Sequence, residues 1–266
     1  VEFLFPNIYD IMFTTDIVVI TTNQRIWDSF IRSISKTEGW DEIRLHVQYR
    51  GNVYVRADGK KIIEYKTNML GNQTSKPILE SILKEKGMKS NQSCYGYFGI
   101  FNDDLLFLPN WYSEVKRGLR DHWCVSPGYI ESGNSLFLNR AYELTKNLDG
   151  VVPLMQGACA LFRLESVFRI GHLDEQFEWG CDDLDLAWRF HLNGIESVTQ
   201  QKITVAHVVG NTRSLHYRRW NIESEKSKKK FVDKHGIFAY RALRNTYFKK
   251  EDSSHLFFKN ITEQVK

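Results

Sequence analysis

The chain has 266 residues, 42% of them hydrophobic and 14% aromatic, and a net charge of +4. That is enough apolar material for one large α/β domain or two small ones, and it argues against a disordered chain. The 36 basic residues nearly balance the 32 acidic ones, so charge gives no case for nucleic-acid binding; the four cysteines, Cys94, Cys124, Cys159 and Cys181, are scattered, which argues against a disulfide scaffold and against paired metal spacing.

Residues 16–21 are a short β-branched apolar run, the pattern of a buried parallel strand, ended by Thr21, Thr22 and Asn23. Ile26, Trp27, Phe30, Ile31 and Ile34 then recur at helical spacing. Residues 43–47 alternate like a second strand that stops before Gly51 and Asn52, and residues 61–65 read as a third. Residues 68–76 form a polar, glycine-containing loop. Pro77 suits the first turn of a helix over 78–86, which Gly87 stops. A fourth strand, 97–101, runs into Asn102, Asp103 and Asp104, and another apolar run, 105–108, precedes Pro109. This β-α-β-(β)-α-β order predicts a doubly wound sheet, in which ligands gather at the carboxyl ends of the strands. Thr21-Thr22-Asn23 and Asn102-Asp103-Asp104 both lie at such ends.

In the second half, Gly157 and Ala158 sit inside an apolar stretch, where a ligand or a second backbone can approach closely; tight core packing explains them equally well. Asp182 and Asp183 sit just before a helical pattern that runs through Leu192 and stops at Asn193 and Gly194. A strand-like run, 203–206, ends at His207. The basic stretch of Arg213, Arg218, Arg219, Lys226, Lys228, Lys229 and Lys230 reads first as a solvated helix face balanced by Glu223 and Glu225, and second as a contact for an anionic membrane surface. Residues 236–266 predict one more helix and a loose end. No stretch approaches membrane-spanning length and no signal-peptide pattern opens the chain, which begins at Val1. The expected location is cytoplasmic, with peripheral membrane contact as the variant.

Two acidic clusters carry the chemistry. Carboxylates at the end of a buried strand are costly unless paired. A divalent cation with a phosphorylated ligand relieves that cost, since Mg2+ and Mn2+ bind through one or two carboxylates plus phosphate oxygens. A plain turn is the simpler alternative. For Asp182 and Asp183 the simpler alternative is helix capping. Asp185 makes three acids in four positions, more than a cap requires, and one of them suits a general base.

As a set, these segments resemble the family 2 glycosyltransferases of GT-A fold. Residues 18–23 resemble that family's first nucleotide-binding strand and loop. Residues 101–105, with Pro109, Asn110 and Trp111 after them, resemble its strand-end acidic motif. Residues 157–163 and 171–177 resemble its acceptor-side segment, and residues 182–186 with Arg189 its acidic helix motif. The resemblance covers residues 16 to 210. It implies an α/β fold with a mixed sheet flanked by helices: a catalytic domain over 1–215, with a nucleotide-sugar half to about residue 110 and an acceptor half from 111, then a helical extension over 216–266. It implies an inverting, metal-dependent transfer of sugar from a nucleotide-sugar donor, with UDP the commonest carrier, to a hydroxyl of a glycan, glycoconjugate or lipid-linked acceptor. Asp104 and His207 would hold Mn2+ or Mg2+. Thr21, Thr22, Asn23, Tyr49, Arg50, Asn102 and Asp103 would line the donor. Asp183 would be the base, with Asp182 second, and Gly157, Ala158 and Trp179 would meet the acceptor. The chain departs from the family where the second strand ends: residues 47–52 contain no acid to hold the base or ribose. The alternatives are a nucleotidyltransferase of related fold, against which the glycine-free 21–25 loop argues, and a glycan-binding module without turnover.

Overall fold

The structure, a computed structural model, describes residues 14–49, 51–56, 61–67, 72–86, 96–131, 135–153, 155, 157–177, 180–208, 211–248 and 253–265. Strand β1 (Thr15–Thr21) pairs in parallel with β2 (Ile43–Tyr49) on one side and with β4 (Tyr97–Asn102) on the other, and β3 (Ile62–Lys66) extends β2 in parallel. These four strands bring Thr21, Tyr49, Lys66 and Asn102 to one edge. Beyond β4 the sheet becomes mixed. The remaining strands are β5 (Leu105–Phe107), β6 (Cys124–Glu131), β7 (Val151–Val152), β8 (Cys159–Arg163) and β9 (Ser197–His207). Among the described residues the order is β3-β2-β1-β4-β8-β6-β9-β5, with β7 also on β9. Because β8 is antiparallel to β4, its first residue, Cys159, faces Phe101, the penultimate residue of β4. In the same way the end of β9, His207, faces Leu105 at the start of β5. Both antiparallel pairings therefore deliver second-half residues to the edge where the acidic Asn102–Asp104 turn lies.

Helices cover both faces of β1. Ile17 and Val19 pack with Trp27, Phe30 and Ile34 of α1 (Gln24–Ile34), while Val18 packs with Ile78, Leu79 and Ile82 of α2 (Asn72–Glu85). Burial on both faces is why the strand reads as an unbroken apolar run rather than an alternating one. Helix α2 departs from expectation: it starts at Asn72, inside the expected loop, and Pro77 lies within it. Pro77 is the sixth residue of the helix, just beyond the four whose N–H groups are free, so it removes one intrahelical bond near the start. Gly87 lies outside the described residues.

Helices α3 (Trp111–Gly118), α4 (Ser135–Thr145), α5 (Leu164–Arg169) and α6 (Asp182–Leu192) follow. The end of α6 coincides with the expected one, and Gly194 takes φ +64° just past it, whereas its start takes in Asp182 and Asp183, which were expected just before the helix. Three more helices, α7 (Asn211–His235), α8 (Ile237–Phe248) and α9 (Ser253–Val265), close the chain. A boundary at 215 falls within α7. Where one helix and a loose end were expected after residue 236, there are two helices. Phe258 and Val265 of α9 are buried with Ile130 of β6 and Leu138 of α4, because Phe258, Ile261 and Val265 share one helical stripe. On α7, Lys226 pairs with Glu223 at 2.9 Å and Lys228 with Glu225 at 3.3 Å, as expected of a solvated face.

The end of the sheet away from the acidic turn is held by a buried ion cluster. The Asp16 carboxylate, fully buried, meets Arg44 at 2.6 Å, His46 at 2.9 Å and Lys86 at 3.2 Å. Burial alone would raise its pKa; the His46, Lys86 and Arg44 contacts outweigh that and hold it at about 2. A carboxyl lowered in this way stabilises the fold above its unfolded pKa near 4 and loses that contribution as pH falls toward 2. Asp16→Ala takes away the buried carboxylate on which Arg44, His46 and Lys86 converge and is expected to cost about 3–5 kcal/mol. Urea denaturation at neutral pH checks this, and the wild-type advantage should shrink between about pH 4 and pH 2.

Candidate functional site

The metal-side cluster is a turn between β4 and β5. Asp103 is 7% and Asp104 9% exposed, whereas Asn102 is exposed. Burial pushes the Asp103 carboxyl up to about 7, and the charge of Asp104 adds to this. The Thr21 hydroxyl and the backbone N–H groups of Thr22 and of Asp103 itself hold it down in part, although that hydroxyl is not aligned for a close hydrogen bond. Asp103 is thus turned back onto the end of β1. Asp104 points the other way: its Oδ1 lies 3.2 Å from Nε2 of His207. The two are not aligned as donor and acceptor, so among the described residues this buried oxygen has no hydrogen-bond partner. The Val208 N–H donates to the Asp104 carbonyl at 2.8 Å, which locks the end of β9 against the turn.

The second cluster opens α6. Gly180 and Cys181 both take left-handed backbone conformations, φ +82° and +60°, and Cys181 provides no side-chain cap. A non-glycine residue there costs about 1–2 kcal/mol, and strain of this kind gathers at functional sites. The first turn's free N–H groups are met by the acids themselves: the Leu184 N–H donates to Oδ1 of Asp183 at 2.8 Å. Burial and mutual repulsion raise the Asp182 carboxyl to about 7, and burial raises Asp183 as well. The two titrate as a pair. Oδ1 of Asp183 is committed to the helix, and Oδ2 is turned toward Gly157.

One short stretch of backbone touches both clusters. The Asn102 N–H donates to the Ala158 carbonyl at 2.9 Å. The next residue back, the exposed Gly157, lies against Asp183: a β-carbon built on it would stand 2.6 Å from the Asp183 β-carbon. Residues roughly eighty positions apart in the sequence are brought together in this way.

The third acid of the helix motif has a different place. Asp185 is fully buried and accepts from Arg189 at 2.8 Å, from Lys234 at 2.7 Å and from His235 at 2.8 Å. Lys234 also meets Asp174 at 2.6 Å, and Arg189 donates to the Ile170 and His172 carbonyls. This network ties α6 to the end of α7. The Asp185–Arg189 pair was legible from its i, i+4 spacing; Lys234 and His235 carry no local signal.

Of the other expected site residues, Thr21 and Tyr49 stand opposite each other at the ends of β1 and β2. The Asn23 side chain caps α1 by accepting from the Arg25 and Ile26 N–H groups. Thr22 is exposed, and Ala158 packs on the core cluster that contains Phe101. Arg50 and Trp179 lie outside the described residues. The acid missing from the end of β2 has a neighbour on β3: burial and the Glu64 carboxylate, which reaches the Tyr49 hydroxyl, raise the Tyr49 pKa. Among the described residues no three His, Cys, Asp or Glu side chains converge as a metal cage.

No protein-family model and no curated protein sequence matches the chain. Solved structures do. The mannosyltransferase PcManGT from Pyrobaculum calidifontis, in complex with GDP-Man and Mn2+, aligns with a TM-score of 0.54 and 14% identity over 95% of this chain and 73% of its own. GalNAc-T7 with UDP, GalNAc and Mn2+ aligns with a TM-score of 0.54 and 11% identity over 96% of this chain and 58% of its own. At these identities the likeness is one of fold. The expected GT-A architecture, with its mixed sheet between helices, is the one observed.

Proposed function

We propose that this chain of GT-A fold is a metal-dependent, inverting glycosyltransferase of family 2 type, moving a sugar from a nucleoside-diphosphate donor to a hydroxyl of a glycan or glycoconjugate. The observation that carries the reading is the contact of the 157–158 backbone with both acidic clusters, at Asn102 and at Asp183. UDP is the first carrier to test. GDP is the second, since one of the similar structures holds GDP-Man and the other UDP.

The residues present fit a divalent cation. Asp104 offers a buried carboxylate oxygen without a hydrogen-bond partner, and His207 offers a ring nitrogen 3.2 Å from it. Neighbouring ligands on a small octahedral ion stand about 3 Å apart. With only two protein ligands, diphosphate oxygens and water would complete the shell, the usual pattern for Mg2+ and Mn2+. When bound, the ion neutralises charge on the departing diphosphate. Thr21, Thr22, Asn102 and Asp103 line the donor side, with Tyr49 and Glu64 beside the nucleoside. Asp183 takes the proton from the acceptor hydroxyl as its oxygen attacks the anomeric carbon from the face opposite the diphosphate, which inverts that carbon. The left-handed Gly180 and Cys181 deliver the base at the head of a helix that Asp185 fixes in place. Gly157, Ala158 and Trp179 belong to the acceptor side. No helix among the described residues is long and apolar enough to cross a membrane.

Thermal shift with a panel of UDP- and GDP-sugars, with and without Mn2+, tests the donor and metal assignments. Release of nucleoside diphosphate separates an enzyme from a glycan-binding module. Because burial and Asp104 raise the Asp103 carboxyl to about 7, protons compete with a cation beside it. The shift given by Mn2+ with UDP or GDP is therefore expected to be larger at pH 8 than at pH 6. Equal shifts at both would remove the proton competition at Asp103, and no shift at either would remove the metal assignment.

A further inference from the structure

We propose that Gly157 is a positioning residue for the base: its missing side chain leaves the space in which the Asp183 carboxylate stands. The inference rests on the reading of Asp183 as base and extends it to what fixes that base. The backbone of Gly157 does not require glycine, since it is not among the residues with positive φ. What requires glycine is space. A β-carbon at 157 would lie 2.6 Å from the Asp183 β-carbon and 2.8 Å from its carboxyl carbon, where ordinary contact begins at 3.4 Å. Neither partner retreats freely. The following residue is tied to β4 through the Asn102 N–H, and Asp183 sits in the first turn of α6 with Oδ1 held by the Leu184 N–H. The small side chain to be displaced is the carboxylate itself. The 157–158 segment therefore sets the spacing between the turn that carries Asp104 and the carboxylate of Asp183.

The test uses Gly157→Ala, Asp183→Ala, Asp183→Gly and the double variant that joins Gly157→Ala with Asp183→Gly. In Gly157→Ala the displaced carboxylate releases the Leu184 amide, so hydrogen exchange at that amide, read by NMR, is expected to quicken as it does in Asp183→Ala. Unchanged protection in Gly157→Ala overturns the proposal. Turnover of a UDP- or GDP-sugar with Mn2+ gives the second readout. A displacement approaching an ångström costs about 10²-fold, and it should fall in kcat with the KM for the nucleotide sugar unchanged. In the Asp183→Gly background, which removes the facing β-carbon together with the carboxylate, the added methyl should change the rate less than about twofold, because nothing is left to displace. Equal losses in both backgrounds, or wild-type turnover in Gly157→Ala beside an inactive Asp183→Ala, overturn the proposal and leave the base assignment intact. Wild-type turnover in Asp183→Ala strikes the base assignment instead. Should Gly157→Ala fail to fold, a folded double variant supports the steric contact and an unfolded one refutes it.

Discussion

Asp183→Ala is expected to lower sugar transfer by ~10²–10⁴-fold, the usual worth of a general base, while the protein stays folded and still binds nucleotide with Mn2+. The fold should tolerate the change because, among the described residues, the structural task of the Asp183 side chain is the bond that Oδ1 accepts from the Leu184 N–H. Losing such a cap costs about 0.5–2 kcal/mol. Removing a carboxylate also relieves Asp182, which burial and the Asp183 charge together raise to about 7. The same ionisation gives the pH dependence its sign: a base must be deprotonated and burial raises the Asp183 carboxyl, so wild-type kcat should fall as pH drops and the pair takes up a proton. Steady-state kinetics across pH 5.5–8.5, with calorimetry on the variant, would read both. Asp182→Ala is the control. If it removes activity and Asp183→Ala does not, the roles are reversed; wild-type rates in both would leave the helix without a base.

Asp104→Ala is the second large effect, and it differs in kind. Asp104 carries the buried oxygen that lacks a hydrogen-bond partner and faces His207 at 3.2 Å. Its loss should abolish both transfer and the Mn2+-dependent thermal shift, whereas Asp183→Ala should lower transfer and leave that shift in place. Without metal the variant is expected to be no less stable than wild type, because it removes a mostly buried carboxylate whose charge helps to raise that of Asp103. His207→Ala should weaken the Mn2+ response by a smaller factor, leaving one protein ligand in place. An Asp104→Ala variant that keeps a full Mn2+ shift would show that the cation binds elsewhere.

Local pattern made β1 to β4, the end of β9 and the body of α6 legible, but not β6, β7 or β8. Residues 16–21 are apolar on both faces because α1 and α2 cover both, and the α6 stop at Asn193 and Gly194 is written in the residues themselves. The start of α2 was hidden because Asn72, Gln73, Thr74 and Ser75 are turn formers, and Pro77 marks a helix start more often than an interior. Helix α9 was hidden because its stripe has meaning only against the β6 face it covers. The acids of the 182–185 run could be counted in the sequence but not sorted. Only the fold gives Asp185 to Arg189, Lys234 and His235, and turns Asp183 toward Gly157.

The sequence by itself determined the parallel half of the sheet, the acidic turn at the end of its fourth strand and the acidic start of a helix, since periodicity, turn chemistry and helix stops act over a few neighbouring residues. Tertiary structure alone decided that β8 runs back against β4 and that β9 ends beside Asp104. Those pairings depend on hydrogen bonds between strands far apart in the chain. They decide which carboxylates are buried with cations and which stand at the common edge.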